Sequence, residues 1–160
     1  AVSGKLNFEM GGPGYYLFAL EQTAHSPHYY YHKFDPEDDK SHRRSVYRFV
    51  VRSQPNPFMT TLDCADSSQS TPKRNETLTA LQALSLLNNN FTLSMSRHFA
   101  DRLGKESEGI VGQVRSGFQL VTGRLPDSEE QKLLVDYAKK HGMPNMCRSL
   151  FSLSEFAYID

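Results

Sequence analysis

Apolar positions follow two different spacings along this chain, and the change falls between residues 52 and 79. Before it, aromatic and β-branched residues come in short runs bounded by Pro, Asp and Ser. Residues 15–21 (YYLFALE), 29–34 (YYYHKF) and 45–52 (SVYRFVVR) are the clearest. Such runs predict strands. In the third, Tyr47, Phe49 and Val51 alternate with Val46, Arg48 and Val50. The expected pairing joins 29–34 to 45–52 across the acidic turn 35–39. A helix over 44–52 is the rival, since Val46, Phe49 and Val50 also suit helical spacing.

Residues 54–73 form a long polar connection in which Pro55 and Pro57 are expected to stop any regular element. From residue 79 the spacing becomes helical. Thr79 and Gln82 have the form of a capping box and open a helix through Leu81, Leu84 and Leu87. Asn88, Asn89 and Asn90 should interrupt it, because Asn caps a new helix well. Phe91, Met95, Phe99 and Leu103 then recur every four residues, with Gly104 as the expected stop. Ile110, Val114, Phe118 and Val121 mark a third helix ended by Gly123. Asp127 and Glu130 cap a fourth, striped by Leu133, Leu134, Tyr137 and Ala138 and closed by His141 and Gly142. A last helix, about 145–153, carries Met146, Leu150 and Leu153, and an apolar tail at 155–160 should dock. The fold class expected is α+β, mostly α: a small antiparallel sheet from about 15–52, packed on a bundle of about five helices over 79–153. Residues 1–160 read as a single domain.

Composition narrows the function classes. Eighteen Lys and Arg balance eighteen Asp and Glu, so there is no basic excess to neutralise phosphates, which argues against nucleic-acid binding. No apolar run reaches the roughly 18 residues needed to span a bilayer. The glycine cluster at 11–14 lacks the GxxxxGK[ST] pattern of a phosphate loop and predicts a turn instead. Cys64 and Cys147 have no CxxC spacing, which excludes a thiol redox pair or zinc ribbon, and there is no CxxCH for covalent haem.

Three groups of side chains have chemical potential. His25, His28 and His32 with Asp35 are candidate metal ligands; in a strand His28, Tyr30 and His32 would point one way and Tyr29 and Tyr31 the other. Hydrogen-bonded histidines among tyrosines are the plainer reading. Asp63 and Asp66, with Arg74 and Glu76, are candidates for acid–base work if one carboxyl is buried. The favoured alternative is structural, with Arg43 or Arg44 pairing with Asp63 or Asp66 to hold the 54–74 loop over the start of the 80–87 helix. Tyr15, Tyr16, Tyr29, Tyr30, Tyr31 and Tyr47, with Tyr29, Tyr31 and Tyr47 as the binding candidates, offer flat faces for a sugar or a partner, or simply cross-strand packing, the plainer reading.

The runs RRSVYRF (43–49), LDCAD (62–66), RNETLTALQALSLLNN (74–89) and SLFSLSEFAYID (149–160) resemble the C-terminal planctomycete-specific domain of unknown function. The opening AVSGKL, the following GGP and the TGRLP turn at 122–126 fit it as well. That family is found behind cytochrome c-like domains in large exported proteins. The resemblance implies that this chain is the C-terminal part of a longer domain, with residues 1–6 as a severed helix end. It implies haem elsewhere in the parent protein and no cofactor here. An exported location would also permit a Cys64–Cys147 disulfide, against the plainer reading of two separate thiols. The family brings no catalytic residues to carry over. The expected function is therefore a non-catalytic accessory or interaction domain, whose partners are the rest of its own polypeptide, a polysaccharide or a protein. The rival is a polysaccharide-active hydrolase or glycan-binding domain, which should bring His28 or His32 near Asp63 or Asp66 in an open cleft.

Overall fold

The computed structural model describes residues 1–66, 69–70, 72–73, 77 and 79–157. It is an α+β chain dominated by helix, and its internal contacts divide it into two compact units, Leu6–Ser85 and Ala1–Lys5 with Leu86–Asp160.

The first unit contains the sheet, two strands rather than the broader one expected. β1 (Ala19–Gln22) pairs antiparallel with β2 (Pro27–Tyr30), with Ala19 opposite Tyr30 and Glu21 opposite His28. The run at 45–52 does not join them. Residues Ser45–Tyr47 form a single 3-10 turn, and Arg48 makes an isolated parallel bridge to Tyr15. The expected partner is not in place because the strand ends at Tyr30. The chain then folds into 3-10 turns at Tyr31–Lys33 and Asp39–Ser41, the second capped by the Asp38 carboxylate on the Lys40 N–H. Short aromatic and β-branched runs suit extended or turn backbone alike, so the available partner decides.

The 54–73 connection also holds more order than its prolines suggest. Pro57 opens a short helix, α1 (Pro57–Thr61), instead of preventing one. At the first helical position its fixed φ is suitable and its missing N–H would be unbonded anyway. Asn56 caps the turn by accepting from the Met59 N–H at 3.1 Å. α2 (Ala80–Asn88) begins with the predicted capping box: Thr79 N–H donates to Gln82 Oε1 at 3.0 Å, and Gln82 N–H donates to Thr79 Oγ1 at 3.2 Å.

In the second unit, α3 (Asn90–Glu106), α4 (Gly109–Thr122), α5 (Ser128–His141) and α6 (Met143–Leu150) surround one apolar core, and α7 (Ser154–Ala157) follows. The predicted caps are present. Asn89 accepts from the Phe91 N–H, Gly123 ends α4 at φ 79°, and Asp127 and Glu130 form a complete capping box. Two boundaries differ. α3 continues past Gly104, whose missing side chain leaves the backbone ladder intact, and α6 starts at Met143 with Pro144 in its first turn. Residues 1–6 are a turn, not a helix end, with Val2 packed on the core. Phe156 docks on the core as well, as expected of the tail, while residues 158–160 lie outside the described set.

Phe99, Leu103, Val114 and Met146 are fully buried, supplied by α3, α4 and α6. Gly117 lets α4 approach α3: a Cβ there would lie 2.8 Å from Leu103 Cδ1. Outside the core, Arg124 joins the α4–α5 turn to α7. Its guanidinium donates to Glu130 at 2.7 and 2.8 Å and to Glu155 at 3.0 and 3.2 Å, and lies 4.8 Å from the Phe118 ring centroid.

Two outcomes follow for stability. Leu103→Ala should cost about 2–5 kcal/mol in urea unfolding. Gly117→Ala alone should destabilise by about 1 kcal/mol, because overpacking exceeds the gain in helix propensity. In the Leu103→Ala background the same change should stabilise, since the new methyl enters the vacated space. Additive effects would show that the two positions do not share that space. The second outcome concerns acid. The hydrogen bonds from Arg124 and the Asp127 backbone pull Glu130 down from 4.5 to about 2. A lowered carboxyl stabilises the folded state above its unfolded pKa, and that contribution disappears as pH falls through the folded value. The wild-type unfolding midpoint should therefore decline from about pH 4.5 towards pH 2 more steeply than that of Glu130→Gln. Parallel declines would remove Glu130 from the account.

Candidate functional site

A cleft of about 190 Å³ lies within the Leu6–Ser85 unit. Its walls are mostly apolar: Leu17, Phe49, Val51, Pro55 and Met59. Arg48, Asn56, Thr60, Cys64 and Asp66 supply polar atoms.

Arg43 positions the framework. Its side chain is buried and donates through Nε to the Glu9 carbonyl at 3.2 Å, through Nη1 to Pro13 at 3.1 Å, and through Nη2 to Gly11. Its guanidinium also stacks over Tyr47, 4.6 Å from the centroid. The Tyr15 hydroxyl donates back to the Arg43 carbonyl at 3.2 Å. Tyr15 in turn brackets Arg48: its N–H bonds the Tyr47 carbonyl, and its carbonyl takes the Phe49 N–H at 2.8 Å. Arg48 is thereby aimed into the cleft. It donates one Nη2 hydrogen bond to Cys64 Sγ at 3.1 Å and, among the described residues, makes no other.

Cys64 is placed by the end of α1. Its N–H bonds the Met59 carbonyl at 3.0 Å, and Asp63 before it turns the chain at φ 55°, the left-handed region that Asp tolerates better than most side chains. The Asp63 carboxylate accepts from Thr77 N–H and Oγ1 at 2.8 and 2.7 Å, and from Gln82 Nε2 at 2.9 Å. Asp63 thus ties the loop to the start of α2, the structural role expected of it, but Arg43 and Arg44 are not its partners. Arg43 is engaged with carbonyls; Arg44 is exposed, its backbone capping the Ser45–Tyr47 turn. The expected pairing fails because the glycine turn before β1 leaves carbonyls aimed at Arg43. Asp66 is exposed and accepts from Gln69 Nε2 at 3.0 Å. Arg74 and Glu76 lie outside the described residues.

The aromatic side chains divide as their alternation predicts, although the strand stops at Tyr30. Tyr29 and Tyr31 pack edge-on against buried Phe18, at 5.0 and 5.6 Å. Tyr30 sits between His28 and His32, at 6.3 and 5.6 Å. Tyr31 also donates its hydroxyl to the Gln54 carbonyl. Tyr29 and Tyr47 therefore act in packing, each against a neighbour, whereas Tyr31 both packs on Phe18 and lines the cleft. Tyr16, one of the tyrosines considered for stacking, and Phe49, read from sequence only as part of the 45–52 alternation, are half-exposed and in contact at 5.2 Å beside the cleft.

His25 is in the hairpin loop, His28 on β2, His32 in a 3-10 turn, and Asp35 accepts from the Glu37 N–H. The structure does not bring them together: among the described residues no three His, Cys, Asp or Glu side chains converge as a metal set would. No histidine lines the cleft. The cysteines are separate thiols, with Cys147 buried in the helical core, where burial pushes its thiol up to about 12. The disulfide permitted by an exported location is not formed. Arg48 did carry a sequence signal, a charge at the centre of an apolar alternation, but its partner across sixteen residues did not.

Residues 1–138 match the model of a family described as "Protein of unknown function (DUF1553)". The chain belongs to that family. No curated protein and no solved structure matches it. The matched span includes the whole cleft and most of the helical unit, while α6 and α7 fall beyond it. Among the described residues, no helix is long and apolar enough to cross a membrane.

The support for this site is itself testable. Arg43→Gln should cost about 2–4 kcal/mol, because three carbonyls lose a charged donor. Arg43→Lys should recover less than half, since an ammonium cannot reproduce the planar fork. Equal stability of Arg43→Lys and wild type in urea unfolding would refute the need for that fork.

Proposed function

We propose that this member of the family is a non-catalytic accessory domain, an interaction module whose contact surface is the cleft with its Tyr16–Phe49 rim. In this reading it serves a large exported, planctomycete-type protein that carries a cytochrome c-like domain, and haem belongs to that other part. The quoted motifs support this context, and the exposed pair of rings beside an apolar cleft carries the choice of surface. Half-exposed aromatic side chains beside a cleft suit a partner better than solvent.

An enzyme reading is less well supported. It calls for a histidine beside Asp63 or Asp66. The cleft carries Asp66 without a histidine, and the Asp63 carboxylate holds Thr77 and Gln82. The glycan reading keeps one observation in its favour: two adjoining rings next to hydroxyl, amide and carboxylate groups can stack and hydrogen-bond a sugar.

The test uses the chain and the remainder of its parent polypeptide supplied in trans. Calorimetric titration should detect binding that Tyr16→Ala and Phe49→Ala each weaken about threefold to tenfold. A polysaccharide panel should release no reducing ends. Hydrolysis by the wild-type chain that Asp66→Asn abolishes would replace this proposal with the enzyme.

A further inference from the structure

Resting on the reading of the cleft as a contact surface, the geometry points to its ligand class. We propose that the cleft binds an apolar group carrying a free carboxylate, the chemistry shared by a small branched acid and by the C-terminal residue of a peptide.

The first observation is the state of Arg48. One Nη2 bond to Cys64 Sγ fixes the guanidinium, and Nε and Nη1 make no bond to the described protein. A guanidinium held in place with donors in hand is suited to bidentate capture of a carboxylate. Arg43, five residues earlier, shows the contrast, because its donors are used on Glu9, Gly11 and Pro13. The second observation is the wall. Leu17, Phe49, Val51, Pro55 and Met59 offer no polar side-chain group, and the polar atoms of Tyr31, Asn56 and Thr60 on the same lining already bond the Gln54 carbonyl, the Met59 N–H and the Asn56 carbonyl, so the body of the ligand should be apolar. The third is size. A space of about 190 Å³ equals roughly six waters at liquid density, enough for one side chain and a carboxylate. Capture of a terminal carboxylate is a known mode of peptide recognition. Asp66, the acidic group on the lining, is exposed and bonded by Gln69, so its charge is better screened than that of the half-buried Arg48.

Cys64 provides the readout, since it lines the same space and Cys147 is fully buried. The full chain should be titrated with N-acetyl-leucine, its uncharged amide, 4-methylpentanoate and glucuronate, following backbone NMR shifts and the rate of Cys64 alkylation by iodoacetamide. The acids with apolar bodies should bind and slow alkylation, and N-acetyl-leucinamide should bind at least tenfold more weakly than N-acetyl-leucine. Arg48→Gln should weaken N-acetyl-leucine by about tenfold to a hundredfold and leave the amide unchanged. If that variant does not fold, the acid-against-amide comparison on the wild-type chain decides alone. Preference for N-acetyl-leucine over 4-methylpentanoate assigns the site to a chain end, and the reverse to a free acid. Equal binding of acid and amide, or alkylation unchanged at saturating N-acetyl-leucine, overturns the proposal. Glucuronate binding as tightly as the leucine acid overturns it in favour of a sugar site. Either failure leaves the interaction module standing if Phe49→Ala still weakens binding to the parent polypeptide.

Discussion

The Arg43 guanidinium is the interaction on which the Leu6–Ser85 unit depends. That unit has few buried apolar side chains, with Tyr15, Phe18 and Val51 the main ones. Little hydrophobic burial offsets the entropy of ordering its turns. A planar cation with several donors can fix three carbonyls of one turn at once. The turn must present those carbonyls inward, and Gly11 and Gly12, at φ 75° and 72°, allow it. The Tyr15 hydroxyl then closes on the Arg43 carbonyl, and the Tyr15 backbone sets the direction of Arg48. The cleft is therefore a consequence of a polar clamp formed elsewhere in the unit.

The helical unit is stabilised by different physics. Its core is a continuous set of apolar side chains from four helices, with Gly117 permitting close approach to Leu103. Burial is non-directional, so small shifts of one helix are tolerated until side chains collide. The polar groups here act at helix ends, where orphan N–H groups need partners: Asn89, Asp127 and Glu130. Arg124 adds a surface network across the α4–α5 turn to α7. Exposed pairs of this kind contribute modestly, and its chief effect is to hold that turn in one geometry.

Asp63 connects the architecture of the first unit to its site. In left-handed backbone, it swings the chain at Cys64 towards Arg48 and anchors Thr77 and Gln82 with one carboxylate. A carboxylate with three such donors is a structural group. Of the two aspartates singled out for acid–base chemistry, then, Asp63 holds the loop and Asp66 faces the cleft. The cleft sets the Arg48 guanidinium, which among the described residues bonds only Cys64, beside walls that are mostly apolar.

The helical half was legible in the sequence because its determinants are local. A capping box spans four residues and an apolar stripe repeats every three or four, so Thr79–Gln82, Asn89, Asp127–Glu130 and Gly123 could each be placed from their neighbours. The alternation of Tyr29, Tyr30 and Tyr31 was legible for the same reason. What the sequence could not decide were choices between distant partners. Residues 45–52 suit a strand, yet pairing with Tyr15 required knowing where the chain had already gone. Arg43 has the charge to bind an aspartate, yet three backbone carbonyls, which no residue name reveals, reached it first. Arg48 and Cys64 became one site only when α1 and the Asp63 turn brought them within 3.1 Å. Short-range periodicity and capping are written residue by residue, whereas competition for a donor is resolved only by the folded backbone.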